Sequence, residues 1–147
     1  VLRVMVVAGL HRGAMVMVRA EEYQRADTVL QVRSDRQKYA PYGLHGGEAS
    51  STGSITVTQD GATQTMPSKF LMDVGKGDSI RVVWPGGGGW GDPLDRDPLL
   101  VLEDVMEERL TIEYVRKEYG VVINEESMAV DEVATSTLRA DRRAVSN

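Results

Sequence analysis

Pro85-Gly86-Gly87-Gly88-Gly89-Trp90-Gly91-Asp92-Pro93 is where this chain changes character. Upstream of it apolar residues recur with the two-residue period of strands, and downstream they recur with the longer period of helices. Four consecutive glycines are entropically costly, so Gly86, Gly87, Gly88 and Gly89 demand a backbone reason. That reason is either positive φ angles or close approach by another backbone or a ligand.

Working back from the glycines, strands are expected over residues 79–84, 70–74, 62–66, 54–58, 28–33 and 14–19, with a further apolar run over 1–8. Asp60-Gly61 favours a tight hairpin turn, and residues 75–78 form another turn. Working forward, Asp97 caps a helix whose first residue is Pro98 and whose apolar face runs through Leu99, Leu102, Val105 and Met106. Glu103, Asp104, Glu107 and Glu108 then fall on the solvent side. Thr111 starts a second helix that stops at Gly120, residues 121–123 read as a short strand, and Asp131 caps a third helix with a modest stripe of Val133, Ala134 and Leu138. The fold class is therefore α+β: an antiparallel β-rich body over about residues 1–84, a glycine-rich crossover over 85–96 and a helical segment over about 97–143. Residues 1–147 read as one domain, or as a fragment of a larger subunit, since the chain opens at Val1 inside an apolar run.

Composition narrows the chemistry. A net charge of −5 argues against an electrostatic grip on nucleic acid, and Arg139, Arg142 and Arg143 read as an exposed helix face. The absence of cysteine removes disulfides, thiolate nucleophiles and thiolate metal sites. With neither a membrane-length apolar run nor a signal-like start, the chain reads as soluble and cytoplasmic.

The glycine run lacks the lysine and serine or threonine of a nucleotide-binding loop, and Trp90, Asp92 and Pro93 break a dinucleotide fingerprint. A cradle of backbone amides for phosphate stays open beside a tight crossover in which glycine makes room for Trp84 and Trp90. Residues 34–53 form a long polar segment that Tyr39, Tyr42 and Leu44 are expected to anchor. At its start, Arg33, Asp35, Arg36 and Lys38 set cations around a carboxylate, either to hold a carboxylate or phosphate or to fix the loop through ion pairs. His11 and His45 have no ligand-spaced companion and read as hydrogen-bonded loop residues. No self-contained catalytic motif is present.

Taken in order, residues 32–36, 41–47 (with Gly46 and Gly47), 67–69, Gly77-Asp78, 85–93, Asp97-Pro98 and 118–122 resemble the C-terminal part of the hydantoinase B family, from about Arg12 onward. Members of that family are much longer, so the resemblance implies the C-terminal portion of a large subunit in a hetero-oligomer. It further implies work beside a hydantoinase A-type, ATP-handling subunit and the remainder of the B-type subunit, opening small cyclic amides such as hydantoins or 5-oxoproline. Acetone and acetophenone carboxylases share the pairing. ATP with a divalent metal is expected in the whole complex, with any metal centre upstream of this region. The loop residues Arg33, Asp35, Arg36, Lys38, Gly46 and Gly47 are then substrate- or interface-loop positions, and Gly86 to Gly89 with Asp92 form the glycine-rich motif. A purely structural, subunit-clamping role is the other reading.

Overall fold

The computed structural model describes residues 6–145, and these form a mixed α+β protein with two compact units. One unit comprises Val16–Pro41 and Ser51–Gly86; the other comprises residues 6–15, 42–50 and 87–145. Among the described residues no helix is long and apolar enough to cross a membrane.

The first unit is antiparallel throughout. Strands β1 (Met17–Glu22), β3 (Ser54–Gln59), β4 (Ala62–Thr65) and β6 (Ser79–Trp84) form a sheet in the order β1-β6-β3-β4, while β2 (Thr28–Arg33) pairs with β5 (Lys69–Val74). Alternation decides which side is buried. Ile55 and Val57 of β3 and Ile80 of β6 make the core, and Leu30, Val32, Phe70 and Met72 of the two-stranded sheet pack against it. Asp60 and Gly61 both take positive φ, 49° and 78°, as the tight β3–β4 turn requires. The turn at residues 75–78 does not close a hairpin: β5 and β6 flank it yet pair with different partners. Gly75 donates its N–H to the Asp78 carboxylate at 2.8 Å, and Gln59 donates to the same oxygen at 2.8 Å.

Two strand expectations shift. The apolar run expected as a strand over 14–19 pairs only from Met17, because the ladder with β6 runs from Met17 opposite Trp84 to Glu22 opposite Ser79. Of the run over 1–8, residues 1–5 lie outside the described residues, and residues 6–8 form no strand. Val6 and Ala8 are core residues of the second unit.

The second unit carries helices α1 (Pro98–Met106), α2 (Ile112–Glu118) and α3 (Glu132–Val145), with a 3-10 turn at Pro93–Asp95 and a small hairpin of β7 (Ile123–Asn124) and β8 (Ala129–Val130). The caps follow side-chain chemistry. Asp92, Asp97, Thr111 and Asp131 accept the orphan amides of Leu94, Leu99, Tyr114 and Ala134. Gly120, at φ 60°, follows the end of α2. The strand expected over 121–123 is shorter and displaced to Ile123–Asn124, since only those residues find a partner strand.

The face of α1 is rotated from the expected one. Leu99 and Met106 are about two-thirds exposed, whereas Val101, Val105 and Asp104 are buried. The sequence pattern puts Asp104 in solvent, yet it sits inside because three guanidiniums accompany it. Val101 and Val105 join Val115, Tyr119, Val121, Val6 and Ala8 in the core.

Helix α3 overturns a second expectation. Its arginines do not form an idle solvent face. Arg139 donates to the carbonyls of Tyr119 (3.0 Å) and Arg96 (2.8 Å), Arg142 to those of Arg116 and Lys117, and Arg143 to that of Leu94 and to the Asp95 carboxylate. The carbonyls at the end of α2 lack intrahelical partners and carry the negative end of the helix dipole, so guanidiniums are the natural donors there. Val133, by contrast, is almost fully exposed, and the helix is fastened more by polar groups than by its apolar stripe.

Candidate functional site

From Gly87 onward, the glycine-rich motif is part of a junction of three chain segments in the second unit. His11 and Trp90 exchange backbone hydrogen bonds in both directions (2.9 and 3.0 Å), Leu44 donates to Gly89 (3.0 Å), and Gly91 donates to Leu44 (2.9 Å). Gly89 also donates to Glu48, and Glu48 to Ala8, each at 2.9 Å. None of Gly86, Gly87, Gly88 and Gly89 takes a positive φ. Their reason is proximity: a Cβ on Gly88 would penetrate the Tyr42 carbonyl, and one on Gly89 would penetrate that of Ala8. The space cleared by these two glycines is thus filled by main chain. The amides of Gly89, Trp90 and Gly91 are spent on protein carbonyls, which leaves them unable to cradle a phosphate.

Gly46 and Gly47 meet this motif directly. Leu44 to Gly47 is a tight turn closed by the Gly47 N–H on the Leu44 carbonyl, with His45 at φ 51° and Gly46 at φ 92°. Gly47 abuts Gly89, and Gly46 abuts Asp92. The two histidines flank one ring: His11 and His45 lie 5.4 and 5.2 Å from the Trp90 ring, centroid to centroid.

Segment 34–53 is fastened by its backbone. Tyr39, Tyr42 and Leu44, expected as packing anchors, are all more than half exposed. Its first part, residues 34–41, belongs to the strand unit and is held by Ser34, which donates its N–H to the Ser68 carbonyl at 2.7 Å, and by the Gly53 N–H on the Arg36 carbonyl at 2.8 Å. Asp35, Arg36, Gln37, Lys38 and Tyr39 then line an open cleft of about 830 Å³ with Pro67 and Ser68. Arg36 stands at φ 64°, a strained position for a side-chain-bearing residue. Arg33 lies outside that cleft, at the end of β2 opposite Lys69. The ion-pair network that could have fixed the loop does not form: Arg33, Asp35 and Arg36 make no ion pair or side-chain hydrogen bond among the described residues, and Lys38 lies over the Tyr39 ring at 5.3 Å.

Three polar groups do not stand out in the sequence. Asp104 receives Arg12 and Arg109 on one oxygen (3.0 and 3.2 Å) and Arg96 on the other (3.0 Å), while Arg96 also donates to the Leu10 carbonyl. Burial pushes the neighbouring Tyr119 phenol up to about 12. Glu48 and Glu118 share a cleft of about 510 Å³ with Lys117 and Arg142. Desolvation of the carboxyl raises Glu48 above its ordinary range, Glu118 adds to the shift, and Lys117, paired with Glu118 at 2.7 Å, opposes it. The contacts of Arg12 with Asp104 and of Glu48 with Glu118 join positions far apart in sequence, and no motif spacing foretells them. Among the described residues no cluster of three or more His, Asp or Glu side chains is placed to hold a metal ion.

Comparison with known proteins adds the context. The profile of the hydantoinase B/oxoprolinase family matches residues 6–93. A protein of Pseudomonas sp. (strain NS671), assigned as the B-type subunit of a D-/L-hydantoinase, is 34% identical over 134 residues, covering 89% of this chain and 22% of that protein. The crystal structure of the ATP-dependent caprolactamase from Pseudomonas jessenii is similar at TM-score 0.52 and 25% identity, over 94% of this chain and 25% of that one. A nucleotide-free acetone carboxylase structure shares the fold at TM-score 0.64 and 20% identity, over 95% and 23% of the two chains. The chain thus spans about a quarter of the length of these relatives.

Proposed function

This chain belongs to the hydantoinase B/oxoprolinase family, and on that premise we propose that it is the C-terminal part of the B-type subunit of an ATP-dependent cyclic-amide hydrolase. Its partners are then the remainder of that subunit and a hydantoinase A-type, ATP-handling subunit, in a cytoplasmic hetero-oligomer. The observation that carries this reading is the 34% identity to a B-type hydantoinase subunit, sustained over 89% of the chain.

ATP, with its divalent metal, would supply a phosphoryl group that turns a poorly reactive amide oxygen into a leaving group. The glycine junction does not fit that cofactor, because the amides of Gly89, Trp90 and Gly91 are already taken by protein carbonyls. On this reading ATP handling falls to the hydantoinase A-type partner subunit, as the family resemblance implies. The chain contributes a rigid glycine junction and the exposed loop bearing Asp35, Arg36 and Lys38, which borders the substrate path or a subunit contact.

A second reading, a subunit of an acetone-type carboxylase, draws on the 38% identity over 61 residues to the acetone carboxylase alpha subunit of Xanthobacter autotrophicus. Bicarbonate separates the two. The complete B-type subunit with its A-type partner is expected to open hydantoin, 5-oxoproline or caprolactam with release of ADP and no need for bicarbonate. Turnover of a ketone that requires bicarbonate selects the carboxylase, and ADP release with neither substrate class overturns both readings.

A further inference from the structure

We propose that the cleft formed by Asp35, Arg36, Gln37, Lys38, Tyr39 and Ser68 binds a small organic oxyanion, a carboxylate or a phosphate ester. The inference goes beyond the reaction proposed above and does not depend on whether the assembly is a hydrolase or a carboxylase.

The lining is rich in donors. Arg36 brings five N–H groups in a planar fork, Lys38 an ammonium, Gln37 a carboxamide and Ser68 a hydroxyl, against one carboxylate, Asp35. The cleft is therefore net positive. Arg36 has no carboxylate partner among the described residues, so its fork is unspent. The Gln37 amide nitrogen is buried without any acceptor, an unfavourable condition that an arriving acceptor would relieve.

The cleft is also preorganised. The strained φ of Arg36 persists because the Gly53 amide holds its carbonyl, and Ser34 ties the loop to Ser68 through both its N–H and its hydroxyl. Strain that the surroundings over-determine is a mark of functional loops. The volume, about 830 Å³, falls within the range of small-molecule sites, and the Tyr39 ring with Pro67 offers an apolar wall for the carbon body of the ligand. A bidentate guanidinium contact then sets the position of the oxyanion, and Lys38 supplies a second charge.

Titration of the full chain, labelled with nitrogen-15, tests this with two probes, inorganic phosphate and acetate, at constant ionic strength. Saturable shifts of the Arg36 and Gln37 side-chain signals are expected at millimolar probe. The probe that binds more tightly identifies the oxyanion as phosphate-like or carboxylate-like. Arg36→Gln and Lys38→Gln should each weaken that probe about tenfold, while Arg81→Gln, an exposed cation on β6, leaves it unchanged. Should Arg36→Gln perturb the fold, Lys38→Gln alone decides. Shifts that fail to saturate with both probes, or equal weakening by Arg81→Gln, would overturn the proposal.

Discussion

Replacing Asp104 with alanine should severely destabilise the helical unit. Its side chain is 3% exposed and holds Arg12, Arg96 and Arg109 at 3.0 to 3.2 Å. Removing it strands those guanidiniums around an apolar methyl, and Arg96, 11% exposed at its side chain, has least access to water. Deleting one partner of such a buried group costs about 3–5 kcal/mol. At about 2–4 °C per kcal/mol for a chain of this size, the midpoint should fall by roughly 6–20 °C. Asp104→Asn keeps an acceptor but not the charge and should fall between alanine and the parent. Thermal melts of the full chain read the total effect. Amide exchange then locates it, with protection lost along α1 and residues 8–13 before β3 and β6. A destabilisation below about 1 kcal/mol, the scale of an exposed pair, would refute the reasoning.

The glycine run offers a graded test: Gly87→Ala meets nothing closer than an ordinary contact with the Ala14 amide and should be close to neutral, whereas Gly88→Ala and Gly89→Ala collide with backbone and should cost about 3 kcal/mol or more in a chemical melt. Arg139→Ala should free the end of α3, seen as faster amide exchange there, and Arg139→Lys should not restore it, because one ammonium does not span the Tyr119 and Arg96 carbonyls as the fork does. The raised Glu48 carboxyl binds its proton more tightly in the folded state, so its contribution is favourable below pH 4.5 and is lost as pH rises through the folded value. Glu48→Gln should therefore be more stable than the parent at neutral pH, with the advantage disappearing in acid melts. Asp78 has the opposite sign: the Gln59 and Gly75 hydrogen bonds lower it, so its contribution is present above pH 3.8, is lost in stronger acid, and is absent from Asp78→Asn.

Much of the architecture is legible in the sequence because it rests on local chemistry. Period-two runs mark β2, β3 and β6, and the caps at Asp97, Thr111 and Asp131 with the stop at Gly120 place the helices to within a residue or two. What escapes is set by partners distant in sequence. The carboxylate of Asp104 reads as a solvent residue until Arg12 and Arg96 are seen beside it, and Arg139, Arg142 and Arg143 read as a wet face until α2 presents its carbonyls. The glycines are the clearest case. Their composition announces a crowded backbone but not what crowds it, and only the meeting of Tyr42 and Ala8 with Gly88 and Gly89 answers that.

The junction at His11, Leu44 and Trp90 also has a bearing on how the chain folds. Its three backbones come from widely separated positions, so its closure needs two long loops brought together, and contacts of that kind carry a loop-closure cost that slows folding. The β3–β4 hairpin, by contrast, closes over a two-residue turn. During synthesis, the main-chain groups of Leu10, His11, Leu44 and Glu48 that pair with residues 89–91 wait for that segment to be made. Until then the helical unit has no seam to close.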